Sequence, residues 1–188
     1  AMTDYAKLQD RVYDDVIEKI DDVDKDAVAA IFDKVKADGR DTLLGSEAYA
    51  VAEAYGISAA PIKLSTSADE AAELAEEMEF PVVLKIASDK ILHKSDIGGV
   101  KVGISSAEEA KATYEEIIAN ANKAHPDIVP DGVEVQKMMD SGEEVIVGMI
   151  RDKQFGPMIA FGMGGIYVNL IEDVSFNLAK GMSSQEIE

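Results

Sequence analysis

The sequence predicts an α/β protein of the α+β kind, with its helices gathered early and its strands late. Three observations predict it. Apolar residues recur at helical spacing up to about residue 55, the middle of the chain switches between helical and strand periods, and the last third is strand-like runs separated by glycine turns with no helix to cover them. At 188 residues and 47% apolar composition, the chain suits one to two domains with a buried core.

The elements follow in order. Leu8, Val12 and Val16, then Val28, Ile31, Phe32 and Val35, each fit one face of a helix, and Gly39 breaks the second. A further helix is expected over 44–55, with Ala48 and Val51 inward and Gly56 as a left-handed cap. A short strand over 57–64 leads to an amphipathic helix over 66–79 that turns Ala71, Leu74, Ala75 and Met78 inward. The compact apolar run over 80–87 reads as a strand interrupted by Lys85, and 99–104 alternates Val100, Val102 and Ile104 on one face. Ser106 and Glu109 form a capping box for a helix through Asn122, whose buried stripe is Ala110, Tyr114, Ile117, Ile118 and Ala121. After a proline-containing loop, strands are expected over 133–138, 144–151, 158–161 and 166–171. A sheet ending without a second covering layer suggests that Glu188 is not a natural end, and Ala1 ahead of Met2 reads as a tag remnant.

Composition narrows the chemistry. A net charge of −19 argues against nonspecific binding to nucleic acid or an anionic membrane, so a polyanionic ligand needs a local basic cluster. The absence of cysteine removes disulfides, thiolate metal sites and cysteine nucleophiles. No stretch approaches the roughly 20 apolar residues of a membrane span, and a cytoplasmic location is expected.

Four segments could carry chemistry. Lys85 in FPVVLKIA needs an anion or a route to water; it is either an anion ligand or an edge-strand lysine snorkelling to solvent. In LHKSDIGGVKVG, lysines supply charge and Gly98 and Gly99 let backbone amides approach a phosphate, although glycine pairs also close ordinary hairpins. The segment is too short for a P-loop and lacks the helix that follows one. His93 could accept a phosphoryl group with Asp96 orienting it, or simply make structural hydrogen bonds, while His125 reads as a surface residue. In VEVQKMMDSGEEVIVGMI, Glu134, Gln136, Met138 and Glu144 could surround a nucleoside, or the acids could line a solvated hairpin.

Taken together, FPVVLKI, LHKSDIGGVKVGI, VEVQKMMDSGEEVIVGMI and FGPMIAFGMGGIYV resemble the ATP-grasp beta subunit or domain of ADP-forming acetyl-CoA and acyl-CoA synthetases, and more distantly succinyl-CoA synthetase beta subunits. The resemblance runs from about Leu43 to Phe176. It implies an ATP-grasp fold with a complete small lobe at 67–133 and an incomplete large lobe at 43–66 and 134–188, preceded by a helical extension at 1–42. It implies an acid–CoA ligase that interconverts acyl-CoA, ADP and phosphate with acid, CoA and ATP through phosphohistidine. His93 would be catalytic. Lys85, Gly98, Gly99 and Val100 would hold the phosphates, and Glu134, Gln136, Met138 and Glu144 the adenosine. Mg²⁺ would bridge phosphate oxygens, and an alpha subunit or domain would bind CoA, giving a hetero-oligomer. The chain departs from the family pattern at Asn169, where glutamate is usual, and at Asn177 and Lys180, where arginine and proline are usual. Its magnesium ligands are unassigned and expected beyond Glu188, so the chain alone is expected to be inactive. A nucleotide-binding docking module and an ATP-grasp carboxylate–amine ligase are the alternatives.

Overall fold

A computed structural model describes residues 23–91, 93–164 and 174–179. The helix expected around Leu8, Val12 and Val16, the strand expected over 166–171, and the positions Asn169 and Lys180 lie outside the described residues. One compact unit spans Ile20–Asp140, and the described residues from Ser141 onward belong to a second.

The first unit opens with α1 (Lys25–Ala37), whose first turn is closed by Asp24 accepting from the Ala27 amide at 3.0 Å. Val28 and Val35 are buried as expected, whereas Phe32, at the edge of the stripe, stays 42% exposed. α2 (Gly45–Ala54) departs from the sequence reading, because the residue it buries is Glu47, while Ala48 is exposed. Arg40 explains the inversion. Its guanidinium makes two bonds of 2.8 Å to the Glu47 carboxylate, which also accepts from the Leu44 amide at 2.9 Å. This pairing holds the Glu47 carboxyl at about 2, with the Arg40 hydrogen bonds as the largest cause and the Leu44 amide adding to it against the opposing effect of burial.

A four-stranded antiparallel sheet follows, built from β1 (Ile62–Ser65), β2 (Val82–Ala87), β3 (Val100–Ile104) and β4 (Gly132–Lys137) in the order β1-β4-β2-β3. β1 starts later than expected, with Ile57 60% exposed, since Pro61 has no amide to donate and marks the beginning of pairing. Helices α3 (Ala68–Glu77) and α4 (Ala107–Ala124) pack on the sheet. Val82, Leu84, Ile86, Val133 and Val135 are all 0% exposed, and the alanines Ala71, Ala75 and Ala110 let the helices lie close to them. Ile117 and Ala121 complete the stripe, whereas Tyr114 and Ile118, expected within it, are only partly buried at its margin.

Both helices begin with the same device. Ser106 accepts from the Glu109 amide at 3.2 Å, and the Glu109 carboxylate accepts from the Ser105 amide at 2.8 Å, one residue earlier than an ordinary capping box. Ser67, Glu70 and Thr66 repeat the pattern in α3. The sheet is wider than the 67–133 span assigned from sequence. Residues 62–65 pair with 133–136, so the strands placed outside that span at both ends belong to this sheet.

The second unit contains the antiparallel strands β5 (Val145–Asp152), β6 (Gly156–Met163) and β7 (Val174–Leu178) in that order. Asp152 turns the β5–β6 hairpin by accepting from the amides of Gln154 and Phe155 at 2.7 and 2.8 Å. β7 was not anticipated; Asn177 sits in it opposite Ile159. Among the described residues, Val147, Met149, Phe161 and Phe176 remain more than half exposed, at 69, 64, 54 and 52%. No described helix is long and apolar enough to cross a membrane.

The Glu47 carboxyl yields a pH prediction. Its acidity in the folded chain is depressed to about 2 from an ordinary 4.5, so its stabilisation is complete above about pH 4.5 and is lost as pH falls toward 2. Urea unfolding should show Glu47→Gln less stable than the parent by about 2 to 3 kcal/mol at pH 7, with the gap closing between pH 4 and 2.

Candidate functional site

Strand register decides which side chains meet on the sheet face opposite the buried valines. β2 and β4 place Lys85 against Glu134 and Val83 against Gln136, and β3 places Val100 against Lys85. Because side chains alternate along each strand, these residues share one face while Leu84 and Val135 point to the other. The Lys85 ammonium donates to Oε1 of Gln136. Burial lowers the Lys85 pKa, with Glu134 opposing that effect and Lys94 adding to it. Lys85 is therefore no lysine snorkelling from an edge strand, because β2 lies between β3 and β4.

The segment between β2 and β3 is wound into consecutive turns. The Asp96, Gly98 and Gly99 amides donate to the carbonyls of His93, Ser95 and Lys94 at 3.2, 3.0 and 2.8 Å. The two glycines thus use their amides inside the turn, which corrects the reading that those amides reach out to a phosphate. Steric demand explains their presence. Gly98 has φ +68° and its carbonyl accepts from the Asn120 side chain at 3.3 Å. A Cβ on Gly99 would stand 2.8 Å from both Ile86 Cγ2 and the Lys94 carbonyl.

An open cavity of about 560 Å³ is lined by Lys85, His93, Lys94, Ser95, Asp96 and Val100. It collects two ammonium groups, an imidazole, a hydroxyl and a carboxylate. Of the residues singled out from sequence, Lys85, His93 and Val100 line it. Asp96 does as well, but the hydrogen bond joining it to His93 runs through the backbone. Glu134 lies behind the lysines at 1% exposure, its Oε1 accepting from the Ser46 amide at 2.7 Å and its Oε2 3.9 Å from Lys94 Nζ. Met138, 38% exposed, follows β4 and donates its amide to the Pro81 carbonyl at 3.3 Å. Glu144 belongs to the second unit, where its carbonyl accepts from the Gly164 amide at 2.7 Å. Sequence reasoning leaves out Asn120 and Ser46, because both act through contacts far apart in the chain.

Among the described residues, no group of three or more His, Cys, Asp or Glu side chains is arranged to hold a metal. Asp96 is the one carboxylate lining the cavity. That donor set suits a hard cation shared with phosphate oxygens and does not suit an all-protein cage.

Residues 34–188 match the ATP-grasp domain family, and the chain belongs to that family. It is 46% identical over 157 residues to acetate–CoA ligase (ADP-forming) I of Archaeoglobus fulgidus, covering 84% of this chain and 23% of that one. It is 45% identical over 149 residues to the beta subunit of acetate–CoA ligase (ADP-forming) I of Pyrococcus furiosus, covering 79% of this chain and 64% of that one. The chain thus spans under two thirds of these relatives. A solved Korarchaeum cryptofilum acetyl-CoA synthetase 1, in complex with coenzyme A, Ca-AMPCP and HgCl⁺, superimposes with a TM-score of 0.79 at 44% identity, covering 84% of this chain and 68% of that one. A further structure of that enzyme holds Mg-AMPPCP and has its phosphohistidine segment pointing towards the nucleotide binding site.

The Gly99 packing gives a direct test of the turn. Gly99→Ala forces a methyl against Ile86 and the Lys94 carbonyl, and should cost about 2 kcal/mol in chemical denaturation, with chemical-shift changes concentrated at 93–100 and Ile86.

Proposed function

We propose that this chain is the ATP-binding part of an acid–CoA ligase (ADP-forming), which interconverts acyl-CoA, ADP and phosphate with acid, CoA and ATP through phosphohistidine. The observation that carries this reading is the cavity that brings Lys85, Lys94 and His93 together. Two ammonium groups attract phosphate oxygens, and a partly desolvated one interacts with them more strongly than it would in bulk water. His93 is exposed at the same cavity, so its imidazole can reach a bound phosphate.

In the ATP-consuming direction, a ring nitrogen of His93 attacks the γ-phosphorus. The bond from that phosphorus to the bridging oxygen breaks, and ADP departs with the bonding electrons. Lys85 and Lys94 offset the charge on the transferring group and on the departing ADP. Val100 lines the wall beside them. Gly98 and Gly99 serve this site by shaping the turn that carries Lys94 and His93, and Gln136 serves it by holding Lys85. Met138 and Glu144 remain our assignments for the adenosine end. Mg²⁺, when bound with the nucleotide, neutralises phosphate charge, and Asp96 is the residue here that would hold it.

The relatives named as beta subunits support a partner subunit; to that alpha partner we assign CoA binding and a second phosphohistidine, in a hetero-oligomer of the cytoplasm. We keep the lobe assignment in altered form: the small lobe is the sheet unit with α3 and α4, and the large lobe includes the strands from Val145. A carboxylate–amine ligase would leave the cavity histidine without a chemical role.

Incubation of the full-length protein with Mg-ATP labelled at the γ-phosphate should yield an acid-labile, base-stable label that His93→Asn abolishes. Lys85→Met should weaken ADP binding about tenfold or more by calorimetry. The full-length protein with its partner should make ATP from ADP, phosphate and acetyl-CoA. Undiminished turnover of that assembly in the His93→Asn variant would remove the mechanism.

A further inference from the structure

Glu134 is a carboxylate at 1% exposure in the middle of a strand whose neighbours Val133 and Val135 are both 0% exposed. Burying a charge there is costly unless it is paired and hydrogen-bonded. Its partners come from three places in the chain. Oε1 accepts from the Ser46 amide in the first turn of α2 at 2.7 Å, where the helix dipole favours an anion. Oε2 lies 3.9 Å from Lys94 Nζ on the turn. Lys85 stands directly across the β2–β4 pair on the same face.

The fit is tight on the α2 side. A Cβ on Gly45 would stand 2.7 Å from Glu134 Oε2, so glycine at that position lets the carboxylate seat against the helix. α2 is in turn anchored through the Arg40–Glu47 pair. The carboxylate is thereby the fixed member of the cluster, and the two lysines, on longer side chains, are the adjustable ones. It cannot serve as an open ribose contact, since its surface is covered and one oxygen is already engaged.

From this geometry we infer that Glu134 is a positioning residue, which orients Lys85 and Lys94 toward the cavity and ties both to the start of α2. The inference rests on the nucleotide reading above, and replaces a ligand contact with an action exerted through the two lysines. The charged groups facing Lys85 are Glu134 from β4 and Lys94 from the turn, with the uncharged Gln136 accepting its proton-bearing nitrogen.

The test follows the lysine ends by NMR in protein carrying ¹³Cε-lysine, with Lys85 assigned by its loss in Lys85→Arg. Glu134→Gln should lower the titration midpoint of Lys85, and Lys94→Met should raise it, since one removes the opposite charge and the other the like charge. Calorimetry with Mg-ADP should show binding to Glu134→Gln weakened about tenfold, with a melting temperature within a few degrees of the parent. Gly45→Ala, which displaces the same carboxylate without removing it, should weaken ADP binding in the same direction. A Lys85 midpoint that neither substitution moves overturns the inference, whether or not ADP binds. ADP binding by Glu134→Gln that equals or exceeds that of the parent overturns it as well, because Glu134 would then be a structural or competing anion. Failure of the parent chain to bind ADP counts against the nucleotide reading alone, and the lysine titration still decides the role of Glu134.

Discussion

The structure of the site depends on one cross-strand pair. Lys85 and Glu134 are register partners in two adjacent strands whose opposite face is apolar at Leu84, Ile86, Val133 and Val135, so the pleat separates a dry helix-packed side from an ionised side within a single residue step. A slip of one residue would bring Lys85 and Glu134 under α3 and α4, where no partner for either is available in the alanine and isoleucine packing. The cost of burying such charges makes the register self-enforcing, and the facing charges contribute more to specificity of arrangement than to net stability. Everything proposed for the cavity inherits its geometry from that alternation.

The turn between β2 and β3 achieves an anion-facing surface differently from a phosphate loop that offers backbone amides. Its glycine amides close hydrogen bonds to the Ser95 and Lys94 carbonyls, and the glycines allow close approach to Asn120 and Ile86. What faces the cavity is therefore side-chain chemistry, the ammonium groups of Lys85 and Lys94 and the imidazole of His93. Side-chain cations adjust to a phosphate that changes position and charge during transfer, while a rigid turn keeps their attachment points fixed. The role proposed for His93, to receive a group and give it up, suits its exposed place on this turn.

Much of the first unit could be read from periodicity, since α3, α4, β2, β3 and β4 are long enough for their buried stripes to repeat. Lys85 and His93 stood out because each broke an otherwise simple local pattern. The misses share a physical cause. The buried face of α2 was misread because the partner that buries Glu47, Arg40, lies on the preceding loop, and Glu134 looked like a ligand because its partner, Ser46, is 88 residues away in sequence. Buried charges depend on such long-range pairing, which no local window contains. The glycine pair carries packing where exposed amides were expected, because a glycine required for packing and one required for amide exposure look identical in sequence. β7 is short, at five residues, and offered little periodic signal.

A chain of net charge −19 with the nucleotide site proposed for it must solve a contradiction between its overall field and its local one. The described lysines elsewhere on the first unit are largely matched by acids: Lys63 with Glu77, Lys101 with Glu116 and Lys111 with Asp69, each at 2.6 or 2.7 Å. Lys85 and Lys94 differ, because Glu134 is buried beneath them and leaves their cavity side open, where Asp96 is the one acid in the wall. At a Debye length of about 8 Å, salt screens the distant acidic surface well but hardly weakens contacts made at hydrogen-bond distance inside the cavity. Physiological ionic strength therefore removes more of the repulsion than of the attraction, and the acidic exterior and an anion-binding site can coexist in one small domain.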